Sequence, residues 1–519
     1  MKTFQLILLI TWATNIMAQP TIQWQKTFGG SFYEQFSSIL STSDGGYIAA
    51  GFSNSEDGDV AGLRGYNDAL IFKLDAVGNL QWKQHLGGSH NDYAHIILES
   101  TDGGYLVVGS TRSTDFGITN NHGGLGDGWV VKLAANGAIE WQRAYGGSYW
   151  EEFWGACHSH DDGFVLTGFA ESVDGDVVEN KGSLDYWVVK INNLGEIQWE
   201  RTYGGSFVDN ALSVKPTTDG GFMVVGEAAS NDGDLNEPVD NVNYWIVKLD
   251  AIGNIEWQKS IGSDWEDVAE DVIQVTDGFI VVGYVGIQNT GQVSGHDELG
   301  TLDCWVVKLD LNGDIVWQKA LGGSQPEWGR ALLPLDDGSI MVVGGARSTN
   351  GDVVGNDGGA ECWLVKLSST GELLWQQTYG GTLAEQGFAI DQTPDNGFIM
   401  AGYAWSDDGD LEGSLNRGKN DFWIAKLSPE SISSQNTPTT AETLQISPNP
   451  ARQYANIEVP TQENSVFVTL SDLLGRVVLA QEMENHATLN TAGLNPGVYF
   501  ITAKTVNGQV FRGKLEKIP

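Results

Sequence analysis

Cysteine is nearly absent: Cys157, Cys304 and Cys362 are the three in 519 residues. That excludes a disulfide framework. Cys304 and Cys362 each precede an equivalent tryptophan, Trp305 and Trp363, of neighbouring repeats and are read as small apolar fillers. Basic residues are scarce as well, with 28 Lys and Arg against 67 Asp and Glu, a net charge of −39. Such a surface repels nucleic acid and anionic lipid, which leaves cations, basic proteins or neutral glycans as partners. Long apolar runs are also missing. The stretch from Phe4 to Ala13 is too short to cross a bilayer, and nothing later reaches the roughly 18 apolar residues that a spanning helix needs. With Lys2 before it and Ile16-Met17-Ala18 after it, that stretch reads as a secretory signal over residues 1–18. A monomer outside the cytoplasm is expected.

Tryptophan, by contrast, is plentiful. Trp24, Trp82, Trp141, Trp199, Trp257, Trp317 and Trp375 recur every 58 to 60 residues, so the chain repeats one supersecondary unit. The copy from Ala94 to Gly147 holds four β-branched or aromatic runs separated by Asp-Gly and Asn-Gly turns, with no helical periodicity. We name these strands a, b, c and d. Strand c carries a second series, Trp129, Trp187, Trp245, Trp305, Trp363 and Trp423, with Leu70 in the first copy. Both series are expected to be buried between repeats. The first copy begins with a lone strand d, Ile22 to Phe28, and the last stops after a lone strand c, Asp421 to Leu427. Joined, they complete one sheet and remove both exposed edges. The expectation is an all-β chain: a seven-bladed β-propeller over residues 19–428, then a small Ig-like sandwich.

This stretch resembles the tryptophan- and glycine-rich β-propeller repeats of bacterial surface proteins, through Asp-x-Trp-x-x-Lys-Leu, Gly-Asn-Ile-x-Trp-Gln and Gly-Gly-Ser as they stand here. The resemblance implies a fold and leaves the function open. The loops from d to the next a and from b to c are expected on one face. The first carries an acid in every copy: Glu34, Asp92, Glu151, Asp209, Glu266, Glu327 and Glu385. The second adds Asp57 and Asp59, Asp174 and Asp176, Asp232 and Asp234, and Asp408 and Asp410, each pair around a glycine. Three readings compete. The acids cap their own loops; the Asp-Gly-Asp loops hold Ca2+, although they supply few of its 6–8 oxygens; or the face is a recognition surface for a glycan or protein. For the last, Trp150 and Trp154, with Phe32, Tyr33, Tyr149, Phe207, Trp265 and Trp328, put aromatic rings beside the carboxylates. The competing reading buries those rings between blades.

Catalysis finds little support. Carboxylates are too abundant to single out a pair for glycoside hydrolysis. Turns such as Thr42 to Gly46 loosely resemble the Asp-box of sialidase-like propellers but lack its trailing tryptophan, and a hairpin turn explains them. His158 and His160 beside Cys157 form no complete metal set. No catalytic residue is assigned, and a polysaccharide-degrading enzyme is kept as the alternative to a noncatalytic binding protein.

Residues 429–443 have linker composition. Residues 444–519 carry Ser447-Pro448-Asn449-Pro450, Asp472-Leu473-Leu474-Gly475-Arg476 and Asn495-Pro496-Gly497-Val498-Tyr499. This segment resembles a type A C-terminal sorting domain of the type IX secretion system. The resemblance implies a β-sandwich recognised by that machinery during export across a Gram-negative outer membrane. In that family the tail is commonly removed, and the passenger is released or attached to surface lipopolysaccharide.

Overall fold

The computed structural model describes residues 17–236, 241–286, 292–293, 302–413, 416–432, 444–459, 465–471, 477–484, 486–505 and 510–518. Nearly all of the expected signal segment, most of the linker and the Asp472 to Arg476 motif lie outside the described residues.

Each repeat folds into one antiparallel sheet. In the second copy the strands are a, Asp92–Glu99; b, Tyr105–Thr111; c, Asp127–Leu133; and d, Ile139–Tyr145, paired in that order. Among the described residues seven sheets have this form. The last takes Glu385–Gln392, Phe398–Ala404 and Asp421–Leu427 from the end of the array and Ile22–Phe28 from its start. Trp24 opposes Lys426 and Phe28 opposes Phe422 across this junction. Phe422 in turn stacks on Phe36 of the first blade at 4.1 Å. The ring is therefore closed, and the fold is a β-propeller.

The repeated motifs account for this shape. In each a-to-b turn the aspartate holds the turn and reaches the buried lysine of strand c: Asp44 to Lys73 at 2.9 Å, Asp102 to Lys132 at 2.8 Å, Asp219 to Lys248 at 2.9 Å and Asp277 to Lys308 at 2.7 Å. The turn thus locks the outer half of its own blade, which explains the Asp-box-like pattern without a catalytic role. The strand-c tryptophans are fully buried, and two of them meet tyrosine rings of the adjoining blade, Trp245 against Tyr186 at 4.5 Å and Trp305 against Tyr244 at 4.8 Å. Burying one such ring removes about 150–250 Å² from water, or about 4–6 kcal/mol as an upper bound. The strand-d tryptophans are mostly half-buried. Six of them lie over the c-to-d turn of the next blade, where a glycine leaves room: a Cβ on Gly137, at φ +82°, would sit 2.9 Å from Trp82.

The C-terminal segment is a second compact unit. A three-stranded sheet (Gln445–Ser447, Tyr454–Glu458, His486–Asn490) accompanies a four-stranded one (Ser465–Ser471, Val477–Glu484, Gly497–Thr505, Val510–Lys517). Ile457, Val466, Val468, Ile501 and Leu515 are among its core. The Ser-Pro-Asn-Pro motif anchors the last strand through its asparagine. Asn449 donates to the Lys514 carbonyl at 2.6 Å and accepts from the Glu516 N–H at 2.8 Å. The hydroxyl of Tyr499 closes the Asn-Pro-Gly-Val-Tyr turn by donating to the Asn495 carbonyl at 2.8 Å.

A candidate binding site in the central channel

The acids that recur at the start of strand a are turned inward. Glu34, Asp92, Glu151, Asp209, Glu327 and Glu385 are all fully buried. Glu151 accepts from the N–H groups of Gly147 at 2.8 Å and Ser172 at 2.9 Å, tying its own d-to-a loop to the b-to-c loop. Glu327 and Glu385 do the same with Gly323 and Ser348, and with Gly381 and Ser406. Burial raises the carboxyls of Glu34, Asp92, Asp209 and Glu327, with these hydrogen bonds pulling the other way. Six of the expected ligand-binding acids are thus loop caps with no face toward solvent. The seventh, Glu266, is exposed, and its place is taken by Asp267, which caps the Gly286 N–H at 2.9 Å. Ser263 replaces the second glycine of that loop, and Asp267 stands ten residues after Trp257, as Glu34 does after Trp24, so Asp267 is the recurring acid of this copy.

The Asp-Gly-Asp loops are committed in the same way. Asp57, Asp174, Asp232 and Asp408 accept from the N–H of Ser31, Ser148, Ser206 and Thr382 at 2.7–2.8 Å. Asp176, Asp234 and Asp410 face the N–H of Gly146, Gly204 and Gly380 at 3.1–3.3 Å, while Asp59 pairs with Arg417. A side chain at the central glycine has no room: a Cβ on Gly175, at φ +69°, would lie 2.2 Å from the Gly146 carbonyl oxygen. Among the described residues no three His, Cys, Asp or Glu side chains gather to hold a metal ion. Seven of the eight aspartates thus act as backbone staples, and the eighth, Asp59, holds Arg417.

One position of strand a carries a different residue in every blade. Each strand a carries a β-bulge at its fourth residue, left out of the ladder with strand b. The bulged residues are Ser37, His95, Trp154, Leu212, Glu270, Arg330 and Phe388. All seven line one cavity of about 640 Å³ enclosed by the seven strands a, the central channel of the ring. A bulge re-aims its side chain and is over-represented beside functional sites. The surrounding frame repeats sevenfold, so seven unlike side chains at this one level make an asymmetric wall.

One side of the wall is aromatic. Trp154 is 37 % exposed and stacks on His95 at 4.1 Å, with Tyr93 beyond His95 at 6.2 Å and Phe52 edge-on to Tyr93 at 5.1 Å. Burial pushes the His95 imidazole down to about 4, so it is neutral at physiological pH. Next to it Glu152 accepts from the Trp150 indole N–H at 2.9 Å; burial raises its carboxyl, while that bond and the Arg112 charge oppose the rise. Across the channel Arg330 pairs with Glu270 and lies 5.5 Å over the Phe388 ring. Burial raises Glu270 too, against the pull of Arg330. Another group of polar contacts ties neighbouring strands a together: Asp271 accepts from Ser213 at 2.7 Å and from the Leu332 N–H at 3.0 Å, and pairs with Lys215 at 3.2 Å.

Of the aromatics expected beside the acids, Phe32, Tyr33, Tyr149, Phe207 and Trp265 are exposed at 41–56 %. Trp154 instead enters the channel. Trp150 sits behind it as the donor to Glu152, and Trp328 is half-buried under Arg347. His95, Glu270, Arg330 and Phe388 had not been singled out. The available signal was the reverse of the one followed: at this position the repeats disagree.

Among curated proteins, none matches the chain by sequence. Solved structures that resemble it include the extracellular domain of a hybrid two-component system from B. thetaiotaomicron (10 % identity, 94 % of this chain and 57 % of that one, TM-score 0.40). Others are Drosophila Plexin A in complex with Semaphorin 1b (7 %, 79 % and 88 %, 0.40) and a Synechocystis apocarotenoid oxygenase (11 %, 80 % and 95 %, 0.38). The chain spans less than two thirds of the length of the first of these, and likenesses this distant bear on no function. Residues 445–515, in contrast, match the secretion system C-terminal sorting domain. The protein is accordingly one that the type IX secretion system exports to the cell surface or the extracellular space.

Proposed function

We propose that the propeller is a noncatalytic binding domain that takes one ligand in its central channel, and that the sorting domain brings it outside the cell to do so. The observation that carries this is the ring of bulged residues. The loop acids and the strand-c lysines repeat because every blade needs them, and the Asp-Gly-Asp loops recur in four blades as staples, whereas Ser37, His95, Trp154, Leu212, Glu270, Arg330 and Phe388 satisfy no common structural need. A cavity of about 640 Å³ falls in the usual range for ligand sites, about 300–1,000 Å³. The acidic loop rim, which sequence reasoning favoured, loses its carboxylates to the backbone.

The test is calorimetry and melting of the propeller with a panel of oligosaccharides, peptides and nucleotides. A channel ligand loses at least about tenfold in affinity, or about 1.4 kcal/mol, in Trp154→Ala and is unaffected by Phe207→Ala on the rim. The opposite pattern would move the site to the loops and end this reading. One feature favours an enzyme as the second reading: Glu152 and Glu270 face the same cavity and both have raised carboxyls, as a general acid requires. Product release abolished by Glu152→Gln or Glu270→Gln, with binding intact, would establish it.

A further inference from the structure

Accepting the channel as the ligand site, we infer that its ligand is the end of a neutral saccharide chain. Trp154 supplies the stacking surface. One face of its indole is covered by His95 at 4.1 Å, yet the residue remains 37 % exposed, so the rest of the ring is open to the cavity. The face of an aromatic ring is electronegative and attracts the weakly positive C–H edges of a pyranose. His95, itself backed by Tyr93, holds the indole in place and spares the ligand the entropy of ordering it.

The polar groups nearby are suited to hydroxyls. Arg330 and Glu270 are already joined, as are Lys215 and Asp271. At these two pairs a formally charged ligand would therefore have to compete with an existing partner. A hydroxyl, which donates and accepts at once, can add to such a pair without displacing either member. Residues 20–428 also carry 59 acids against 21 Lys and Arg, a field that repels sulfated or uronic chains. Stacking, paired charges and a repelling field together select an uncharged, hydroxyl-rich ligand.

The experiment titrates the full-length secreted protein with neutral gluco-, manno- and galacto-oligosaccharides, with sulfated and uronic oligosaccharides, and with acidic and basic peptides. The expected result is saturable binding of a neutral oligosaccharide that changes less than about twofold on raising salt, because no net charge is neutralised. Trp154→Ala should weaken it at least tenfold, and Trp154→Phe should retain most of it. If the ligand lost in Trp154→Ala is anionic or a peptide, the channel stands as a site and the saccharide inference falls. If no ligand of any class responds to Trp154→Ala while Trp154→Phe is folded, both fall.

Discussion

Asp209 illustrates what a recurring acid does in this protein. Its fully buried carboxylate gathers the N–H groups of Gly205 at 2.9 Å, Ala229 at 3.1 Å and Ser230 at 3.2 Å from two loops. Leaving buried N–H groups without an acceptor costs about 1–3 kcal/mol each. Asp209→Ala should therefore lower the melting temperature markedly while leaving ligand affinity unchanged. Trp154→Ala should do the reverse. A variant series in which both properties fall together for Asp209 would return the acids to the binding site. The charge of Asp209 was legible in the sequence; its direction was not, because a Gly-Gly loop and a serine two strands away jointly turn it inward.

Strand a is the element on which the site depends, and its bulge follows from pairing that no single repeat reveals. Ala94 opposes Gly109 and Ile96 opposes Val108, leaving His95 unmatched between them. The glycine at this register lets the two backbones come close: a Cβ on Gly109 would lie 2.0 Å from the Tyr93 carbonyl oxygen. Closure depends on another element, the strand Ile22–Phe28, which supplies the outer edge of the last blade. Its deletion should expose strand c, Asp421–Leu427, as a free edge and cause aggregation. An unchanged melting temperature and a monomeric elution profile would show that the ring does not need it. This pairing was readable beforehand from two incomplete repeats at opposite ends of the array.

The ring as a whole carries a row of buried carboxylate neighbours. The first residue of strand c sits beside the loop acid of the next blade, as Asp303 with Glu327 around Gly322 and Asp421 with Glu34 around Gly29. Burial pushes Asp68, Asp127, Asp185 and Asp421 up to about 6, Asp267 to about 7 and Asp303 to about 8, from 3.8. The folded state therefore holds more protons than the unfolded one between about pH 4 and 8, and stability falls as pH rises through that window. The turn aspartates Asp44 and Asp219, lowered to about 2 as their hydrogen bonds outweigh burial, oppose this only in stronger acid. Melting should be highest near pH 4–5 and decline toward pH 8, less steeply in Asp303→Asn; blade four already has Asn243 at this position. A profile rising toward pH 8 would contradict the assignment. Removing residues 444–519 should leave the propeller inside the cell envelope, and normal export of the truncated chain would refute the role of the sorting domain.

Period and composition were enough to establish the repeat, its four strands, the shared closing blade and the export tail, because hydrophobic alternation and turn chemistry act over a few residues and recur in each copy. The assignment of function to the acids failed for a physical reason: a carboxylate and its N–H partners come from loops some twenty residues apart, and their meeting depends on strand pairing. The channel was invisible along the chain for the same cause. Ser37, His95, Trp154, Leu212, Glu270, Arg330 and Phe388 are separated by whole blades, and only ring closure around a common axis brings them to one wall.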